Sequence, residues 1–169
     1  MSAAMSTCCQ TTLNGKLGPS PFSRVVAFGF YDGILSGISE CGACQREFLF
    51  DNLYENLDGP VRFFSLAPLT SGSVDRVIKA VGQYQSPIWP IWVPMWTFPT
   101  SEIKESLDLM CREICRSAGM PEWVLAWNLS SDQIVACRPY PRSDAPNKPS
   151  DWIEYCGLPQ AVTRFPEGE

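Results

Sequence analysis

Thirteen residues, Pro87 to Pro99, constrain the fold of this chain more than any others. They hold four prolines, three of the six tryptophans and no charge. Each proline removes an amide donor and clashes with the preceding helical turn, so the run cannot be a regular helix. Within a sheet, proline is confined to edges, first positions and bulges. Trp92, Pro94, Trp96 and Phe98 share one parity, and Ile91, Val93 and Met95 share the other. The segment therefore reads as a strand near 89–97, either buried on both faces or lying at a sheet edge where its prolines stop further pairing. Trp89, Trp92, Trp96 and Phe98 are candidate partner-binding residues. Indole rings offer a large contact area and one N–H donor, which suits a protein or peptide interface.

The rest of the composition narrows the function. The chain has 169 residues, 45% of them hydrophobic and 18% charged, enough for one domain with a real core. Its net charge of −5 argues against a module that grips nucleic acid by neutralising phosphates. There is no histidine, against eight cysteines. Without histidine there is no Ser-His or Cys-His nucleophile pair, no imidazole base and no histidine metal ligand. Chemistry must rest on cysteine, lysine or carboxylates. No run approaches the about 18 apolar residues that a spanning helix needs. Met1 to Gln10 lacks the basic and apolar regions of a secretory signal, so a cytoplasmic location is expected, with cysteines as thiols, metal ligands or redox pairs.

Periodicity locates the elements. Arg24 to Tyr31 alternates and stops at Asp32-Gly33, as a strand would. Val74, Val77, Ile78 and Val81 predict a helix over 73–84, capped by Ser71 or Ser73. Ile103, Leu107, Met110, Cys111, Ile114 and Ala118 predict a second over 102–118, capped by Thr100 or Ser101. Residues 122–129 and 133–140 read as a hairpin. Asp151 to Cys156 reads as a single helical turn. Residues 45–57 fit two patterns: Phe50, Leu53, Tyr54 and Leu57 have helical spacing, while Phe48, Phe50 and Asp58-Gly59 before Val61 suit a hairpin.

The choice matters because Cys41-Gly42-Ala43-Cys44 comes just before. At the start of a helix, the amides and dipole would stabilise a Cys41 thiolate as nucleophile, with Cys44 resolving. As a metal knuckle, the pair would supply half of a tetrahedral zinc site. As turn residues, they would do neither. Cys111 and Cys115 are four apart on a helix and read as core, Cys137 and Cys156 stand alone, and Cys8 and Cys9 lie in a Ser/Thr-rich leader.

Tyr31-Asp32-Gly33-Ile34-Leu35-Ser36-Gly37 resembles the Y-D-G-P-L-S-G opening of small uncharacterised bacterial and phage proteins, with Ile34 in place of the proline. The resemblance spans residues 26–69. It implies a turn, an aromatic strand and a second strand like Arg62 to Leu66, hence a hairpin for 45–66, and no known activity. The same region resembles the DCC family of thioredoxin-like thiol-disulfide oxidoreductases. That family has a strand ending in Y-D-G, a nearby C-x-x-C, a helix, and a strand ending like Ala67-Pro68-Leu69. This resemblance implies Cys41 as nucleophile and Cys44 as resolving thiol. Here Leu35 stands where the family has its first cysteine, and Cys41 comes later.

The expected architecture is a single α+β domain over 23–158, between a leader (1–22) and a tail (159–169). A mainly antiparallel sheet, with strands near 24–31, 46–54, 60–66, 89–97, 122–129 and 133–140, would be covered by two helices. The expected function is a non-catalytic cytosolic binding or accessory protein that takes a protein or peptide partner on Trp89, Trp92, Trp96 and Phe98. It needs no cofactor. The alternatives are a thiol-disulfide oxidoreductase using Cys41 and Cys44, or a module with structural zinc on the same pair.

Overall fold

The computed structural model describes residues 18–19, 22–30, 34–42, 44–53, 61–84, 91–92, 98–128, 131 and 133–159. The class is α+β, and its longer strand pairings are antiparallel. The chain forms two compact units, interleaved in sequence.

One unit takes residues 22–50 and 67–120. Its strands are β2 (Phe22–Phe30), β3 (Ile34–Cys41), β4 (Glu47–Asn52, up to Phe50) and β6 (Ile91–Trp92), in the order β4-β3-β2-β6. β2 and β3 form a hairpin in which Val25 faces Ser39, Val26 faces Ile38 and Ala27 faces Gly37. β3 is a strand that the sequence pattern did not reveal. Residues 47–52 are strand, so the hairpin reading of 45–57 holds there. β6 pairs parallel to β2, Val26 with Ile91 and Ala27 with Trp92.

Two helices cover one face of this sheet. They are α1 (Ser73–Gly82) and α2 (Ser101–Ser117), close to the predicted limits. Val74, Val77 and Val81 of α1 and Leu107, Cys111 and Ile114 of α2 pack on Val26 and Ile38, all buried. The two helical stripes therefore meet the inward parity of the hairpin. Thr100 caps α2, its hydroxyl oxygen accepting from the Ile103 amide at 3.3 Å. α1 is capped from a distance. Gly72 holds its N-cap at φ 93, a conformation glycine adopts without cost, and no local side chain caps the helix. Instead the Glu47 carboxylate accepts from the amides of Gly72 and Val74, the latter at 2.5 Å. Glu47 is only 4% exposed, and its carbonyl accepts from Leu69 at 2.9 Å. A buried anion thus sits on the positive end of α1, in place of the expected Ser71 or Ser73.

The other unit takes the chain up to Pro21, residues 51–66 and the chain from Pro121. Its strand order is β1-β8-β7-β5, from β1 (Gly18–Pro19), β8 (Gln133–Pro139), β7 (Trp123–Asn128) and β5 (Val61–Pro68, up to Leu66). Phe63 faces Ala126, and Ala126 faces Ala136. On this row lies α3 (Pro149–Tyr155), where a single turn was expected. Trp152 and Cys156 pack on Val61, Phe63, Val124, Ala126 and Ala136. On the same β5–β7 pair, Phe64 and Trp127 meet edge to face at 6.0 Å.

Candidate functional site

Cys41 ends β3 and Cys44 lies in the turn before β4. Cys41 is 1% exposed and Cys44 is half-buried. The Cys41 amide donates to the Arg46 carbonyl at 2.9 Å, and the Gln45 amide donates to the Cys41 carbonyl at 2.9 Å. Beyond the turn, the Arg46 guanidinium lies 5.1 Å from the centre of the Phe48 ring. The element after the CxxC is a strand, where the thioredoxin-like layout implies a helix. The helix-end stabilisation that the redox reading calls on therefore has no helix to supply it there. Among the described residues, no three cysteine, aspartate or glutamate side chains gather as a metal site. Within those residues a zinc ion would have only the two sulfurs of the knuckle, short of a tetrahedral set.

The other cysteines separate by burial. Cys111 lies in the core of α2 as its stripe predicted, while Cys137 of β8 and Cys156 behind α3 are also buried. Burial pushes the Cys111 and Cys137 thiols up to about 12 and Cys156 up to about 11, from an ordinary 9.0. A folded state that holds these protons more tightly than the unfolded chain is stabilised fully below pH 9. It loses that stability as pH rises from about 9 towards 12. Urea midpoints should fall over that window, with the thiolate ultraviolet band from these cysteines rising along the unfolding transition. In a variant that keeps only Cys111, Cys137 and Cys156, a thiolate band that rises near pH 9 in the still-folded protein would refute this.

The aromatic–proline run is placed in part. Ile91 and Trp92 form β6 at the end of the strand order, against β2. Trp89 and Trp96 lie outside the described residues. Phe98 is half-buried and packs against the core beneath α1 and α2. Its ring meets Tyr84 edge to face at 5.9 Å, and Tyr84 is 37% exposed. The sequence pattern marks Tyr84 only as the end of a helix. Its signal as a site residue is a large aromatic at a helix end, clear of the apolar stripe.

Positive charge is used structurally near β2. Arg24 donates to Glu40 of β3 and, at 2.6 Å, to Asp75 of α1. Its hydrogen bond to Glu40 is the main cause that raises its pKa, assisted by Asp75 and opposed by burial. The cluster ties β2, β3 and α1 together, with both carboxylates turned to the guanidinium. No helix among the described residues is long and apolar enough to cross a membrane. No family model matches this chain, and no curated protein or solved structure matches it either.

Proposed function

We propose that this chain is a non-catalytic cytoplasmic binding protein that holds a protein or peptide partner on its aromatic–proline segment. Trp89, Trp92, Trp96 and Phe98 are the contact residues, and Tyr84 joins them. The observation that carries this reading is the place of β6, which ends the strand order among the described residues, together with the Phe98–Tyr84 ring pair, whose Tyr84 is exposed. An edge with flanking prolines resists indiscriminate strand addition, while aromatic rings offer contact area at low entropic cost. The acidic net charge disfavours nucleic acid as the partner. The reading requires no cofactor.

Selection of a displayed random-peptide library on the full chain tests it. Selected peptides should lose at least about tenfold in affinity, roughly 1.4 kcal/mol, on Trp89→Ala, Trp96→Ala and the exposed Tyr84→Ser. Thermal unfolding of each variant separates lost binding from lost folding. Cys41→Ser/Cys44→Ser should leave the affinity unchanged. Peptides that bind all three aromatic variants as tightly as the native chain would overturn the proposal. So would a loss confined to the cysteine variant.

A further inference from the structure

The turn between β3 and β4 carries a geometry that partner binding does not use. The Gln45 amide reaches back to the Cys41 carbonyl, a bond from residue i+4 to residue i that closes one helical turn. Gln45 then takes φ 60 and sends the chain into β4. In a helical turn, residues three apart have Cα atoms about 5 Å from one another. A disulfide spans Cα separations of about 4.4–6.8 Å. The backbone therefore already holds Cys41 and Cys44 at bridging distance, and the strand pairing on either side holds the turn in place. This needs no helix dipole, so it stands where the oxidoreductase reading loses its support.

We propose that Cys41 and Cys44 form a reversible disulfide across the β3–β4 turn, making the turn a redox-responsive modification site. The oxidant is a low-molecular-weight disulfide such as that of glutathione. Cys44 is the more accessible of the pair, so it reacts first. Its thiolate attacks one sulfur of the small disulfide, whose S–S bond breaks and releases one small thiolate. Cys41 then gives up its proton and attacks the Cys44 sulfur of the mixed disulfide. The second small thiolate leaves. Two protein thiols have become one disulfide, one small disulfide has become two small thiols, and the two protein protons end on them. The bridge encloses few residues, so it gains little from loop closure and is readily reduced by the same thiols. Cys111, Cys137 and Cys156 are shielded from this exchange by burial.

The test uses the full chain, equilibrated in glutathione buffers from reducing to oxidising, quenched with N-ethylmaleimide and read by intact mass and peptide mapping. The expected result is a Cys41–Cys44 cross-link that grows as the buffer becomes more oxidising, disappears with dithiothreitol, is absent in Cys44→Ser and persists in Cys115→Ser. If Cys44→Ser fails to fold, peptide mapping of the native chain decides alone. The proposal is overturned if both thiols stay alkylated across the series, if Cys44 stops at a glutathione adduct, or if the cross-link maps to another pair.

Discussion

Gly37→Ala should destabilise the protein by about 3 kcal/mol or more, the upper range for an over-packed core position. Gly37 faces Ala27 across the β2–β3 pair, and its position has no room for a side chain. A methyl group there would run into the Val26 carbonyl oxygen, with Phe50 Cζ at 2.8 Å and Ala27 Cα at 3.0 Å. Two of the three obstacles are backbone, which cannot rotate aside. Either the hairpin separates at this pair or Phe50 leaves its buried place, and each disturbs the row that carries Val26 and Ile38 under the helices. Gly82→Ala is the matched control. Nothing lies within 4 Å of a methyl at Gly82, at the end of α1, so the change should be neutral or stabilising by up to about 1 kcal/mol. Urea unfolding followed by tryptophan fluorescence measures both. A Gly37→Ala midpoint level with that of Gly82→Ala would show that the close approach does not exist in solution.

The same residue explains how far the fold was legible. Gly37 ends the Tyr31–Gly37 run, whose importance showed in the sequence only as a resemblance; the register shows why its last position has to be glycine. α1 and α2 were legible because their buried valines and leucines recur with a helical period long enough to repeat. β3 was not. Ile34 to Cys41 holds two serines, a glycine and a glutamate, so its strand state comes from pairing with β2 and not from propensity. Residues 45–57 were ambiguous because Phe50 belongs to both a helical and an alternating pattern. What settles 47–52 is pairing within the sheet, which a local pattern does not contain. The α1 cap was out of reach for a like reason: Glu47 lies 25 positions before Gly72. For the site, the CxxC spacing was visible, but its meaning turned on whether a helix or a strand follows. Phe98 was visible as an aromatic, yet its packing on the helices and on Tyr84 depends on tertiary contacts.

Trp152→Ala is expected to cost about 3–5 kcal/mol, the usual loss for truncating a fully buried aromatic. Seven residues are too few for a helix to persist on local hydrogen bonds, so α3 exists because something docks it. Its ends are well made. Pro149 opens it, and at the other end Leu158 donates to Ile153 and Gly157 to Glu154, with Gly157 at φ 66, the Schellman pattern. These features set where the helix stops, but the apolar area comes from Trp152. Its residue is 1% exposed, and its ring meets Tyr155 edge to face at 5.9 Å and Tyr140 at 6.1 Å. The Tyr155 hydroxyl in turn donates to the Pro139 carbonyl at 2.5 Å, so loss of the indole loosens the tie between α3 and β8. Trp152→Phe separates ring packing from the polar atom. The indole Nε1–H is buried with no acceptor among the described residues, so phenylalanine gives up volume but also removes that unmet donor, and its cost should be well under half that of alanine. Amide exchange at Trp152, Glu154 and Cys156 provides a local readout beside global unfolding. In Trp152→Ala these amides should exchange at the rate of an open chain while those of α1 remain protected. If they stay protected, the helix is held by its caps and not by the docking of Trp152.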